Sequence, residues 1–301
     1  MKPHLRDVTL CAADCHAPAL AARALRLSLQ ACTFGDALLL TDAAWEDPAF
    51  RTVRIDRLAS LDDFSRFVFK ELAAHIHTPH VLLVQWDGHV VEPAAWREDF
   101  LAYDYIGARW TQFRDHLTVG NGGFSLRSRR LLQATAGEGF AWVPGAAEDV
   151  LVCRTYRPRL SAEMGMRFAP EAVARAFSYE TEELLAPTFG FHGVLNLWRH
   201  VDDADMVHMA AQLDARTLTS WQFVALVARY AAMRKFRVAA RLHALLARHL
   251  APPQVRHLLV EHLGSRQAGS ACHEALLTLQ AGPLGAALDG DAATAGGAGL
   301  R

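Results

Sequence analysis

The sequence predicts an α/β protein whose mainly parallel central sheet is flanked by helices and followed by a small α-helical unit. From residue 5 to about residue 110, short apolar runs typical of buried strands alternate with longer runs whose apolar residues recur at helical spacing. Beyond about residue 203 only the helical spacing remains, and the last 21 residues contain seven Ala and six Gly. We therefore predict an α/β domain over residues 1–202, a helical unit over 203–280 and a disordered tail over 281–301.

Each element is predicted from the residues at its own position. The apolar runs predict strands at Val8–Ala13, Ala37–Thr41, Thr52–Ile55, Val81–Val84, Asp104–Ala108 and Gly123–Leu126. The runs with helical spacing predict helices at Pro18–Ala31, Leu61–Ile76, Ser128–Ala136 and Glu148–Tyr156. Pro18 suits the first turn of its helix, and Pro158 predicts where the last of these helices ends. In the helical unit, Pro252-Pro253 separates two predicted antiparallel helices.

The composition excludes several classes of protein. The chain has 301 residues, 51% of them hydrophobic, and its 31 Lys and Arg nearly balance 32 Asp and Glu. That apolar fraction is too high for a disordered chain, and the balanced charge argues against a nucleic-acid partner. The sequence has no run of about 18 uncharged apolar residues and no clean N-terminal apolar block, so we expect neither a transmembrane segment nor a signal peptide. Five cysteines without a CxxC pair predict reduced thiols and a cytoplasmic protein.

Candidate chemistry is expected where the predicted parallel strands end, because ligands bind at the carboxyl ends of strands in such sheets. Asp14 and His16 follow the first strand and could contact a nucleotide. The segment Gln85-Trp86-Asp87-Gly88 follows the strand Val81–Val84. A carboxylate at such a corner can hold a divalent cation beside substrate phosphates. The alternative is a simple Asp-Gly turn without a ligand.

Three further segments carry candidate residues. Three glycines surround Asn121, whose amide can bond sugar hydroxyls, and their spacing fits neither common phosphate-binding loop. Glu148 and Asp149 open a predicted helix, where one acid could act as a general base while the other caps or orients. His192, between aromatic residues and glycines, could be a neutral metal ligand. A hairpin turn, two solvated acids and a core histidine are the respective alternatives.

The order of these segments resembles that of nucleotide-sugar glycosyltransferases with the GT-A architecture. More specifically, the sequence resembles a bacterial and fungal family of glycosyltransferase-like proteins catalogued as a domain of unknown function. The resemblance covers roughly residues 5–200 and is carried by the blocks Asp7–Leu10, Thr78–Gly88, Tyr103–Ala108, Val119–Ser128, Glu148–Val150, Phe177-Ser178 and Phe189–Gly193.

The resemblance implies metal-dependent, inverting transfer of a sugar from a nucleotide-sugar donor to an acceptor hydroxyl. By similarity to inverting β-1,3-glycosyltransferases, it implies that Asp149 is the catalytic base beside Glu148. It also implies that Asp87 and His192 bind Mn²⁺ or Mg²⁺. The residues expected to bind donor or acceptor are Asp14, His16, Gln85, Trp86, Asn121, Gly122, Gly123 and Trp110.

Two residues depart from the pattern of the families that the sequence resembles. Gln85 stands where a D-x-D motif has its first Asp, and Arg109 stands where a proline is expected. The expected acceptor is a glycan, a lipid-linked molecule or a protein. The first alternative function is a non-catalytic module that binds nucleotide sugars or glycans and recruits a partner through its helical unit. The second is a structural scaffold in which these motifs are only turns. The arginine-rich helices between Arg234 and Arg248 predict a solvated face or a contact with an acidic partner or membrane surface.

Overall fold

The computed structural model describes residues 2–281, which form two compact units divided between Gly193 and Val194. This division precedes the boundary predicted after residue 202. The reason is a 3₁₀ helix at Val194–Arg199, which packs against a helix further along the chain and so belongs to the second unit. The predicted tail lies outside the described residues, apart from Ala281 at the end of the last helix.

Six strands form the central sheet of the first unit. They are β1 (His4–Ala13), β2 (Thr33–Thr41), β3 (Arg51–Arg54), β4 (His80–Val84), β5 (Tyr105–Ile106) and β6 (Phe124–Ser128). Their order across the sheet is β3-β2-β1-β4-β6-β5. The first four pair in parallel, whereas β6 is antiparallel to both β4 and β5. The prediction of a mainly parallel sheet with flanking helices is confirmed.

Six α-helices belong to the first unit. They are α1 (Pro18–Ala31), α2 (Leu61–Lys70), α3 (Arg129–Ala136), α4 (Glu148–Val150), α5 (Arg157–Met164) and α6 (Glu171–Phe177). The hydroxyls of Ser60 and Ser128 accept hydrogen bonds from backbone N–H groups in the first turns of α2 and α3. Such caps satisfy donors that a helix leaves unbonded and so fix where each helix begins.

Two predicted helices are more broken than their sequence patterns suggest. The predicted helix Leu61–Ile76 ends at Lys70 and continues as a 3₁₀ helix at Leu72–His75. The predicted helix that begins at Glu148 changes into a π-helical turn at Leu151–Thr155. Pro158 then lies in the first turn of the next helix, α5, where its missing N–H removes no intrahelical bond.

The central strands are buried on both faces because consecutive side chains point to opposite sides of a sheet. One face packs with α1 and includes Leu10, Leu39, Leu82 and Leu25. The opposite face packs with α2 and includes Cys11, Leu38, Leu83 and Phe67. This two-sided burial explains why the strands read as continuous apolar runs rather than as alternating patterns.

The strand order creates a crevice at one edge of the sheet. The chain moves outward from β1 to β2 and β3 and then returns to β4 on the other side of β1. In open α/β sheets, ligands bind at such a reversal, outside the carboxyl ends of the strands. Because β6 is antiparallel to β4 and Phe124 pairs with Val84, the glycine loop before β6 lies at this same edge.

A second, two-stranded sheet brings distant residues to this edge. Strands β7 (Ser178–Tyr179) and β8 (Gly190–Phe191) pair in parallel, and Gly190 also bridges to Val90, just beyond β4. Glu180 and His192 follow directly after these two strands, so both lie at the carboxyl ends of a parallel pair.

The described part of the second unit is helical. Its α-helices are α7 (Asp203–Ala210), α8 (Ala215–Leu218), α9 (Trp221–Ala232), α10 (Phe236–Ala247), α11 (Pro252–Leu263) and α12 (Arg266–Ala281). The two helices predicted around Pro252-Pro253 correspond to α10 and α11. Within residues 2–281, no helix combines the length and the apolar character that crossing a bilayer requires.

Candidate functional site

Asp87 occupies a tight corner at the end of β4. The N–H of Gly88 donates to Gln85 O at 3.1 Å, and the N–H of Gly193 donates to Asp87 O at 3.1 Å. A Cβ atom on Gly88 would lie 2.6 Å from Phe191 O, so only a glycine lets β8 approach this closely. The corner is therefore held from both sides, and the residue after β8 lies against Asp87.

That residue is His192, whose imidazole lies between two carboxylates. Its Nε2 is 3.3 Å from Asp87 Oδ1 and 3.2 Å from Gln85 Oε1. Its Nδ1 is 3.3 Å from Glu180 Oε1. The side chains of His192, Asp87 and Glu180 are 13%, 8% and 13% exposed. The structure thus brings the two predicted metal ligands together and adds a second carboxylate.

The surroundings of His192 favour a positive charge. Burial opposes charge on the ring, but Asp87 and Glu180 outweigh it and raise the pKa of His192 well above its ordinary value. A divalent metal ion attracted by the same two carboxylates would have to replace the proton on His192 Nε2, because an imidazole binds a metal in its neutral form. We call the cluster of Gln85, Asp87, Glu180 and His192 the acidic corner.

Asn121 stands in the middle of the glycine loop in a left-handed backbone conformation. Its φ is 67°, a value that Asn adopts more readily than most residues with a Cβ. Its Nδ2 donates to Glu180 Oε2 at 2.9 Å, which ties the loop to the acidic corner. Within the described part of the chain, its buried Oδ1 has no hydrogen-bond partner. A buried carbonyl oxygen of this kind is suited to a ligand hydroxyl or a cation.

The next two glycines pass between the acidic corner and a second acidic group. A Cβ on Gly123 would lie 2.0 Å from His192 Nε2, and a Cβ on Gly122 would lie 2.3 Å from Glu148 Oε1. Neither position has room for a side chain without displacing these groups. Both positions therefore require glycine, because the backbone contacts His192 on one side and Glu148 on the other.

Asp149 lies on the far side of this loop from His192 and is partly buried. Its Oδ2 accepts a hydrogen bond from Gly122 N at 2.9 Å, and its Oδ1 accepts one from Val150 N at 2.8 Å. Burial, and then the charge of neighbouring Glu148, raise the pKa of Asp149 to about 7, while these hydrogen bonds act in the opposite direction. A carboxylate with a pKa near neutrality is suited to accept a proton.

Glu148 is held in a buried ion pair with Arg127. Arg127 Nη2 donates to Glu148 Oε1 at 2.5 Å, and the two side chains are only 2% and 4% exposed. Arg127 Nε also donates to Ser125 Oγ at 2.9 Å, and the other oxygen of Glu148 accepts from Asp149 N. This geometry suits Glu148 to orient the start of α4 and leaves Asp149 as the more accessible acid.

Asp14 and His16 lie in the turn between β1 and α1. Asp14 Oδ1 accepts hydrogen bonds from the N–H groups of His16 and Ala17, each at 2.7 Å. Burial raises the pKa of Asp14, and the charge of Asp87 contributes in the same direction. The His16 side chain is exposed and Trp86 is partly buried. Their roles in donor binding stay predictions.

Trp110 and Arg109 are both engaged by the protein. The indole of Trp110 is 6% exposed, packs edge-on against Phe113 and fills the space where Gly120 lacks a side chain. Trp110 therefore supports the glycine loop by packing against Gly120. Its stacking on a sugar stays a prediction. Arg109, which replaces the expected proline, forms an ion pair with Glu171 at 2.9 Å.

The acidic corner fits a hard divalent cation. Asp87 Oδ1 is buried and lies 3.3 Å from His192 Nε2, while Gln85 and Asn121 supply carbonyl oxygens nearby. Carboxylate, carbonyl and imidazole groups suit Mn²⁺ or Mg²⁺. Across residues 2–281, however, no three His, Cys, Asp or Glu side chains are arranged to hold one ion. Asp87 and His192 would then be the protein ligands, since such ions keep water and phosphate oxygens as their other ligands.

Two residues of this site were not singled out in the sequence. Glu180 lies beyond the Phe177-Ser178 block, and nothing in the local pattern links it to His192, because their strands pair only in the fold. Arg127 could have been found from the sequence, since a charged residue inside a buried strand requires a buried partner.

Comparison with protein families adds one match. Residues 48–192 are similar to a family described as a protein of unknown function (DUF5672), over slightly less than half of the chain. The matched range includes Asp87, the glycine loop, Asp149, Glu180 and His192. No curated protein matches the chain.

Proposed function

We propose that the first unit is a glycosyltransferase of the GT-A type, which transfers a sugar from a nucleoside-diphosphate donor to an acceptor hydroxyl. The observation that supports it best is the passage of Gly122 and Gly123 between His192 and the Glu148–Asp149 pair. Successive Cα atoms are about 3.8 Å apart. The acidic corner and Asp149 therefore lie beside the same two-residue segment of backbone, and the proposal puts the donor sugar at this segment.

The acidic corner is the place for the diphosphate. It lies at the carboxyl ends of β1 and β4, beside the reversal in strand order where nucleotides bind in open α/β sheets. Asp87 and His192 would hold Mn²⁺ or Mg²⁺, which supplies positive charge to the departing diphosphate when bound. Glu180 fixes the imidazole ring from its other nitrogen and also holds Asn121, so the ligand and the loop are positioned together.

In the proposed reaction Asp149 acts as the general base. It removes the proton of the acceptor hydroxyl, whose oxygen bonds to the anomeric carbon. The bond from that carbon to the diphosphate oxygen breaks, and its electron pair leaves with the nucleoside diphosphate. Such a single displacement inverts the anomeric centre. The hydrogen bonds from Gly122 and Val150 keep the carboxylate directed, and its pKa of about 7 lets it accept a proton near neutral pH.

The direct test is a panel of nucleotide sugars incubated with the full chain and Mn²⁺, with release of nucleoside diphosphate as the readout. We expect at least one donor to be turned over, if only by slow hydrolysis, and Asp149→Asn to slow that release by about 10²–10⁴-fold. Tight binding of a donor with no turnover across the panel would instead favour a non-catalytic module. The observation that favours this second function is Gln85, which stands in place of the first carboxylate of the D-x-D pattern.

The role of the glycine loop has its own matched pair of variants. Gly123→Ala places a methyl group against His192 Nε2, so we expect loss of donor binding from a folded protein. Gly139→Ala is the control, because a Cβ there meets only Arg159 Nη2 at 3.6 Å, an ordinary contact. Calorimetric titration with the donor and thermal unfolding are the two measurements. Normal donor binding by Gly123→Ala would show that the loop is not part of the donor site.

A further inference from the structure

The second unit contains a long stretch of one-sided charge. Residues 215–260 include eight Arg and Lys and no Asp or Glu, although the whole chain is nearly neutral. Basic residues concentrated in this way attract anionic partners. Charge alone does not identify the partner, because an acidic protein and an anionic membrane would both be attracted.

The turn between α9 and α10 places apolar side chains beside these charges. Met233 and Phe236 are 37% and 43% exposed, and Arg234 and Arg237 on either side of Phe236 are exposed as well. Lys235 differs, because its ammonium group pairs with Asp203 at 2.8 Å. The turn therefore presents two large apolar side chains and two guanidinium groups at one tip of the helical unit.

An apolar cavity opens beside this tip. It has a volume of about 280 Å³ and is lined by alanine, leucine, phenylalanine and one cysteine side chain from α9 to α12. Phe236 and Leu263 line it and are also exposed at the surface. Leu263 ends α11, and the exposed Arg266 begins α12. The α11–α12 turn therefore adds another apolar and another basic side chain beside the cavity that Phe236 lines.

We propose that this end of the helical unit, formed by Met233–Arg237 and Leu263–Arg266, binds an anionic lipid surface. Basic side chains lie at the headgroups of such a surface while apolar side chains enter the acyl region beneath them. An acidic protein would satisfy the arginines but would leave Met233, Phe236 and the apolar cavity without a matching partner. The nearby acid Glu261 faces His257 at 3.2 Å rather than the tip. This proposal is independent of the proposed glycosyltransferase activity.

The test is flotation of the full chain with vesicles of phosphatidylcholine, with and without phosphatidylserine. We expect binding only to vesicles that contain phosphatidylserine, and release as salt is raised. The double variant Arg234→Glu/Arg237→Glu should weaken binding at least about tenfold, since each basic residue near such a surface contributes about fivefold. Arg248→Glu is the matched control, because Arg248 is exposed at the opposite end of α10. It should bind nearly as the wild type does.

A second double variant, Met233→Ser/Phe236→Ser, separates a membrane from an acidic macromolecule. A lipid surface predicts clear loss of vesicle binding, whereas an acidic protein or polyanion predicts none. The proposal is overturned if the wild type does not float with anionic vesicles, or if binding survives Met233→Ser/Phe236→Ser. It is also overturned if Arg248→Glu loses as much binding as Arg234→Glu/Arg237→Glu. Salt release of the wild type needs no variant, so a misfolded variant would not leave the question open.

Discussion

Each unit contains a largely buried histidine with polar neighbours, and the two histidines have opposite charge preferences. His192 in the first unit lies between Asp87 and Glu180, which raise its pKa well above the ordinary value despite burial. His243 in the second unit lies 2.9 Å from His273 and 2.8 Å from Gln280. Burial, and then the neighbouring His273, lower the pKa of His243 to about 4.

The comparison shows that burial of a histidine does not by itself indicate a site. His243 and its neighbours form a neutral hydrogen-bonded chain between α10 and α12, which is the arrangement expected of a packed core. His192 is flanked by two carboxylates, whose charge is compensated by the protonated ring itself or by a cation that replaces its proton. The partners of a histidine therefore separate a structural role from a candidate binding role.

The largest expected effect is on turnover in the first unit. Asp149→Asn removes the base but keeps the shape and, through its one carbonyl oxygen, one of the two backbone hydrogen bonds, so donor binding should persist while turnover falls by about 10²–10⁴-fold. Steady-state release of nucleoside diphosphate and calorimetric donor binding are the measurements. If the variant loses donor binding together with its fold, Asp149 has a structural role instead.

The next effect concerns the charged pair behind Asp149. Arg127→Met leaves Glu148 buried without its cation, so the free energy of unfolding should fall by about 3–5 kcal/mol. The double variant Arg127→Met/Glu148→Leu removes both charges and should recover most of that loss. Denaturant unfolding measures both. A single variant as stable as the wild type would show that the pair does not hold this part of the fold.

Substituting the two histidines tests the comparison itself. His192→Ala should weaken binding of Mn²⁺ with a nucleoside diphosphate at least about tenfold, as expected on disrupting a metal site. His243→Ala should lower the melting temperature but leave the thermal shift caused by Mn²⁺ and nucleoside diphosphate unchanged. Thermal unfolding with and without these ligands measures both effects. If the wild type shows no ligand-induced shift, the metal-binding part of the proposal fails.

A further effect is a pH dependence that differs in sign between the two histidines. The pKa of His243 is about 4 in the folded chain and near 6.5 when unfolded, so between these values the unfolded chain binds more protons. Stability should therefore fall as pH drops below about 6.5, by about 2 kcal/mol near pH 5. The stabilisation from His192 has the opposite sign, being present at low pH and lost as pH rises through its raised pKa.

Urea unfolding monitored in the helical unit at neutral and acidic pH measures this slope. His243→Gln keeps a polar side chain without the titration and should flatten the slope. An unchanged slope in that variant would assign the acid sensitivity to other groups.

The parts of the fold that depend on local pattern were predictable from the sequence. Helix α1 has the predicted bounds, Pro18–Ala31, because its apolar spacing and N-terminal proline are local signals. Strands β7 and β8 were not predicted, because each has only two residues and exists through pairing with a partner. The division between Gly193 and Val194 depends on packing in the same way, since the short helix Val194–Arg199 packs on α9.

The site also has residues that local sequence predicts and residues that only the fold brings together. Asp87 and the glycine loop follow from the rule that ligands bind at strand ends, and the structure places them at one edge. The contacts of His192 with Asp87 and Gln85 join residues more than a hundred positions apart, which no local periodicity encodes. Glu180 was not predicted because it approaches His192 only when β7 pairs with β8.

The most direct measurement is an experimental structure of the chain with Mn²⁺ and a nucleoside diphosphate. The proposed function predicts the metal bonded to Asp87 and His192, with the diphosphate beside it and the Asn121 loop against the vacant sugar position. A nucleotide bound elsewhere, with the contact between His192 and Asp87 left intact, would contradict it.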